Sequence, residues 1–255
     1  MAKTNGALEK AFAEDSGAGF EDVEGERDLQ MPRLGICQAN SPQLKKKDER
    51  LFIKGASLGD IFNPVTKKYW PGDKGVIVIP VHFQHKLNEW IPRTQGGGFV
   101  KEHPFDSVEV SKAVRDKELG MEVLENGNEL VRTATHYVKI VHEDGSLESA
   151  ILDMTKTKLK RSRAWLSMMA MQKHNGATLP SFANTYCLKT VEEGNDKGSW
   201  YSYSISLEGL VTSLEVYKEA KEMHGKVDRG ELRVAPPPPP EQLIVNPDPD
   251  DSIPF

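Results

Sequence analysis

"KGVIVIPVHFQHKLNEWIPR", residues 74–93, is the stretch whose reading decides the fold. A turn at Gly72-Asp73-Lys74-Gly75 delivers the chain into a β-branched run that passes into alternation of apolar and polar residues, the pattern of a half-buried strand. Unbroken alternation puts Ile77, Ile79, Val81, Phe83 and Leu87 on one face. His82, Gln84, Lys86 and Trp90 then share the other. His82 and His85, three residues apart, fall on opposite faces of such a strand and do not converge on a metal ion; no metal or other cofactor is expected.

Working outward, strands also fit "ELVRTATHYVKIVH", "LESAILDM", "NTYCLKTV" and "SWYSYSISL". Two segments read as helices. "TKTKLKRSRAWLSMMAMQKH" has a basic first half and an apolar second half, and "LEGLVTSLEVYKEAKEMHG" closes on Gly225 as its stop. The body is therefore mainly β with two helices, in the α+β class, and begins near "PRLGIC". Residues 1–28 form an acidic, Gly- and Ala-rich arm in which "ALEKAFAED" can make a short helix, and 29–230 form the body. Residues 231–247 are a proline-rich linker in which Pro236–Pro240 hold an extended polyproline spacer. The segment 248–255 is an acidic tip.

With 255 residues and 38% hydrophobic content, the chain buries one sizeable core but is poor in apolar residues for its length, which matches unstructured ends. Cys37 and Cys187 fit no CxxC pattern and read as reduced thiols. There is no apolar run of about 18 residues, and the N-terminus carries acids where a signal peptide needs an apolar stretch. The expectation is a soluble protein of the cytoplasm, the host's if the chain is viral.

The formal net charge of −5 conceals a segregation. Residues 1–28 hold three Lys or Arg against eight Asp or Glu, and 241–255 hold none against four, which leaves the middle with 30 basic and 26 acidic residues. An acidic whole is thus compatible with a body that binds nucleic acid.

No GxxxxGK[ST] or GxGxxG sequence is present, so P-loop hydrolysis loses its sequence support, and a non-enzymatic protein is expected. What the body does carry is aromatic rings set among cations, the combination that stacks on bases and follows phosphates in single-stranded nucleic acid. Lys67 and Lys68 flank Tyr69 and Trp70 before a turn. Lys86 and Trp90 share the polar face of the deciding strand, and Arg93, Phe99 and Lys101 surround three glycines that can wrap a strand. Tyr137 and Lys139 share one strand face, opposite His136, Val138 and Ile140. Lys156, Lys158, Lys160, Arg161 and Arg163 crowd the start of the first helix. Phe83, Tyr201 and Tyr203 align with apolar neighbours and read as core.

Asp248, Asp250 and Asp251 followed by Ile253, Pro254 and Phe255, after a proline-rich linker, form a tip that resembles the C-terminal tip of the bacterial single-stranded DNA-binding protein family. The resemblance covers about eight residues. Pro249 interrupts the acidic run, and Ser252 stands where another acid is usual. It implies a bacteriophage protein that coats single-stranded DNA through an elaborated OB-fold β-barrel, with a tip that docks replication, recombination and repair proteins. The physical logic is legible in the residues: a ring for an apolar pocket, a carboxylate for a basic rim, and aspartates that steer the approach. Homo-oligomers are compatible with it. Three other functions fit the same tip: a recombination mediator or annealing protein, a nuclease of DNA metabolism, and a mimic that sequesters host tip-binding proteins.

Overall fold

The computed structural model describes residues 6–15, 18, 19, 21, 31–116, 121–196 and 198–232. The tip 248–255, with its partner-binding residues, and nearly all of the linker lie outside the described residues. Helix α1 (Gly6–Glu14) matches the short helix expected in the arm. Three two-residue strands follow, β1 (Gly35–Ile36), β2 (Ile61–Phe62) and β3 (Tyr69–Trp70), and then the long β4 (Val76–Ile91). Next come β5 (Gly98–His103), the single turn α2 (Val108–Ser111), β6 (Val114–Asp116) and β7 (Met121–Val123). The second half of the body holds β8 (Glu129–Val141), β9 (Leu147–Thr155), α3 (Leu159–Ala170), β10 (Lys173–His174) and β11 (Ala177–Thr178). It closes with β12 (Asn184–Asn195), β13 (Gly198–Leu210) and α4 (Leu214–Asp228). The protein is mainly β, with antiparallel sheets and few helices.

β4 and β8 pair along nearly their whole lengths, from Val78 against Ile140 to Trp90 against Glu129. β9 adds to the free edge of β8, β12 returns to pair with the start of β4, and β13 pairs with β12. The connectivity is thus a three-stranded meander, a helix, and a hairpin whose first strand comes back to the first strand of the meander. β9 and β13 do not pair with each other. Residues 32–38 bridge the opening between them. Ile151 on β9 donates to Pro32 O and accepts from Leu34 N, both at 2.8 Å, while the Gln38 side chain clamps the backbone N and O of Tyr201 on β13 at 2.9 and 2.8 Å. Arg33 adds an ion pair to Asp153, whose other oxygen accepts from Thr135 Oγ1 at 2.7 Å.

The small sheet β1-β2-β3 is fastened to β12 in turn. Thr190 N donates to Gly72 O at 2.9 Å, and Thr190 Oγ1 to Gly59 O at 2.6 Å. The approach is so close that a Cβ on Gly72 would stand 2.1 Å from Thr190 Oγ1. Glycine is required there.

The alternation expected for β4 breaks in the middle. Pro80 opposes Val138 and His82 opposes Tyr137, so Val81 is an extra residue, a β-bulge beside a proline that has no N–H to give the ladder. Beyond it the faces exchange. Ile79 and Val81 join Tyr137 and Ile151 under α4, whereas Phe83 packs with Val76 and Val78 in the cluster plugged by Trp165 and Met169 of α3. Leu87 belongs to neither, and packs with Leu124 of the insertion between β4 and β8 and with Leu130 at the start of β8. The sheet is therefore covered by α3 on one face and by α4 on the other. Each fully buried Leu, Ile or Met on those faces stabilises the fold by about 1.5–3 kcal/mol.

α4 does not stop at Gly225. Met223 and Val227 are both buried, so the apolar stripe continues past the glycine, and the helix ends at Asp228 with Gly230 at φ +70° just beyond. Ser213 caps its start by accepting from Val216 N. Among the described residues no helix is long and apolar enough to cross a membrane.

Candidate nucleic-acid interface

Several of the residues expected to touch a strand are packed away or paired. Trp90 is 3% exposed and meets Phe99 edge-on at 5.4 Å, because the glycine-rich turn Gly96–Gly98, all at positive φ, folds β5 back over it. It is a structural tryptophan, not a stacking platform. Tyr137 is buried beneath α4, its hydroxyl donates to Gln84 Oε1 at 3.2 Å, and burial pushes its pKa up to about 12. Lys139 does share its face, as the alternation predicts, but is itself buried and donates to Glu219 Oε1 of α4 at 2.7 Å. Lys86 pairs with Glu102 at 2.9 Å, Lys101 with Glu109 at 3.6 Å, and Arg161 with Glu193.

The remainder lie along a run of contacts. Arg93, opening the insertion, stands near enough to Lys156 to depress its ammonium pKa, adding to the larger effect of burial, while Glu129 opposes both. Lys156 and Lys158 share the 3-10 turn that leads into α3, whose first turns expose Lys160 and Arg163. Lys158 Nζ lies 5.7 Å from the centre of the Tyr203 ring. Tyr203 is core, as its alternation predicts, and Tyr201, two residues before it on the same face, is half-buried against Gly59. From the Gly59 turn the chain enters β2, which pairs with Tyr69 and Trp70. Trp70 is half-buried, with Lys68 Nζ 5.7 Å from its ring centre. Lys68 also meets His142 Nδ1 at 3.0 Å, and His142 Nε2 reaches Glu148 at 3.0 Å. Lys67, exposed at φ 56°, and Tyr69, packed against Phe62 and Cys37, complete this end. The run is cationic at both ends with rings between.

Sequence reasoning missed four polar groupings whose members are far apart in the chain. Glu89, 2% exposed, accepts from Asn126 and Asn128 at 2.8 and 2.6 Å and meets His103 Nε2 at 2.6 Å. Burial pushes its pKa up, but these three bonds outweigh it and hold it below the usual range. His136 stacks on Trp165 at 4.6 Å and bonds Ser162 Oγ at 2.8 Å through Nε2, while Nδ1 has no partner among the described residues; burial takes its pKa down to about 3. His82 stands 3.4 Å from His224 of α4, nitrogen to nitrogen, and burial, then His224, lower its pKa. The fourth is the Gln38 clamp. No spacing rule announces any of them.

The bulge in β4 also leaves a cleft of about 250 Å³ between Phe83, His136 and the last turns of α3. Its lining includes no lysine or arginine, so it lacks the phosphate partner that a strand-binding groove needs.

A family model described as Pam3 phage gp34-like protein matches residues 3–233, which takes in the whole described body and stops short of the polyproline spacer and the tip. Neither the curated proteins nor the solved structures hold a match.

Proposed function

The chain belongs to the Pam3 phage gp34-like protein family, a family of phage proteins, and from that premise we propose that it binds and coats single-stranded DNA in the cytoplasm of the infected host. It does so largely without sequence preference and without catalysis, in phage DNA replication, recombination or repair. The observation that carries this reading is the run from Arg93 through Lys156 and Lys158, which lies over the buried Tyr203, to Tyr201, Trp70 and Lys68, because cations that follow phosphates and accessible rings that meet bases are what an unspecific strand binder requires.

The connectivity supports an elaborated OB-type barrel. That fold is a five-stranded, partly open barrel that takes oligonucleotides between the loop joining strands 1 and 2 and the loop joining strands 4 and 5. Counting β4, β8, β9, β12 and β13 as the five, the first loop is the insertion that carries Arg93, Phe99 and Lys101, and the second is the short turn at the end of the β12-β13 hairpin. α4 occupies the outer face of β8, so the strand follows the cationic run instead. The tip, with Asp248, Asp250, Asp251, Ile253, Pro254 and Phe255, recruits replication and recombination proteins and competes with DNA for the basic run until DNA displaces it.

Fluorescence anisotropy of a labelled oligo-dT strand, at low and moderate salt with duplex as control, tests the proposal. Strand-selective binding that weakens as salt rises is expected. Absence of binding overturns it, loss of the strand when magnesium is added replaces it with a nuclease, and rapid pairing of complementary strands replaces it with an annealing protein.

A further inference from the structure

β13 ends the large sheet. Its Tyr201 turns both backbone groups away from β12, since N and O are both taken by the Gln38 side chain. In an antiparallel ladder the groups aimed at one edge recur on every second residue, so Ile205 and Leu207 aim theirs the same way. Among the described residues nothing accepts from or donates to those four groups. The edge also lacks the usual protection: from Ser202 to Leu210 it has no proline or lysine and a single charge, Glu208, while Leu207 and Leu210 are 39% and 54% exposed.

One segment of the chain has the composition of the missing strand. Between Pro240 and Pro247 the sequence reads "EQLIVN", and Leu243, Ile244 and Val245 form an apolar, β-favouring triplet in a region otherwise made of prolines, acids and amides. A spacer needs no such triplet. The prolines on either side, having no N–H, limit pairing to the residues between them.

We infer that residues 242–246 of the same chain add to β13 as an antiparallel or parallel edge strand, meeting the N–H and C=O groups of Ile205 and Leu207. The reach is sufficient. α4 begins four residues after β13 and its 15 residues carry the chain about 22 Å away, whereas residues 229–241 can span about 43 Å, with the five prolines alone covering about 16 Å. In that strand Leu243 and Val245 share one face and cover Leu207 at the mouth of the barrel. The tip is then tethered at residue 247, beside the hairpin, rather than at the end of α4.

Amide hydrogen exchange of the full chain, without DNA, tests this apart from any reading of function. Ile205 and Leu207 amides are expected to exchange at least tenfold more slowly in the natural chain than in Ile244→Pro, which cannot pair, or in a Leu243→Asp, Val245→Asp double variant. Both variants lie outside the folded body. Equal rates in all three chains overturn the inference, as does protection that disappears on dilution, which would place the strand on a second copy.

Discussion

His136 is held neutral in the folded protein, with its pKa near 3, by burial between Trp165 and the sheet. In the unfolded chain it titrates near the ordinary value of 6.5. The folded pKa is the lower one, so the unfolded state takes up the proton first, and the stability held above about pH 7 is lost progressively as pH falls through 6.5 towards 3. Between pH 7 and pH 5 the linkage amounts to about 2 kcal/mol, since one pKa unit corresponds to about 1.4 kcal/mol and roughly one and a half units of the window are traversed. For a urea m-value of about 2 kcal/mol/M, that is about 1 M in the unfolding midpoint. The measurement is urea unfolding, followed by tryptophan fluorescence at pH 7, 6 and 5, of the natural chain and of His136→Phe. Phenylalanine keeps the stack on Trp165 and gives up the bond to Ser162, which alters the absolute stability at every pH but not its slope. The natural chain should lose about 1 M more than the variant across this range; His82, whose pKa is also lowered, contributes equally to both. Parallel midpoints in the two chains would refute the assignment of a neutral, buried His136.

Two further substitutions separate binding from folding. Trp70→Ala, at a half-buried ring packed against the main core, is expected to weaken oligo-dT binding by about 1–3 kcal/mol and to cost less stability than Trp90→Ala, which costs about 3–5 kcal/mol and has no separate effect on a folded protein's affinity; anisotropy and urea unfolding of each variant decide, and equal loss of affinity in both contradicts the cationic run. Glu89→Ala strands His103, Asn126 and Asn128 without their acceptor, and should cost about 3–5 kcal/mol, or roughly 6–20 °C in Tm by calorimetry. An unchanged Tm would mean the insertion is not anchored there.

The fold was legible where the signal was local. β8, β9, β12 and β13 lie close to the β-favouring runs of the sequence, although β8 is buried on both faces rather than one. α3 and α4 follow their apolar stripes. The exchange of faces in β4 was not read from the pattern, although Pro80 inside a strand is a local mark of a bulge. Trp90 illustrates a different limit: its face of the strand was assigned correctly, but what covers it is a hairpin made by the following residues, and a polar-looking face became an interior one. The paired cations tell the same story, since Lys139 finds Glu219 80 residues away and Arg161 finds Glu193 32 residues away. Of the expected interface, Lys68, Lys160 and Arg163 keep the exposure that their local composition implied, and Trp70 keeps part of it. The clamp of Gln38 on Tyr201 could not be read from any window, for its partners stand 163 residues apart.

That clamp also sets a timetable. Residues 32–38 leave the ribosome early, yet Arg33 waits 120 residues for Asp153, and Gln38 waits 163 for Tyr201. At about 5–20 residues per second the first of these delays lasts roughly 6–24 s and the second roughly 8–33 s. Through that interval the meander and its helix can assemble while the segment that seals them has no edge to join. The gap between β9 and β13 is therefore bridged by the part of the body made first, only once β13 has been made, and a chain truncated before residue 201 is left with an open seam.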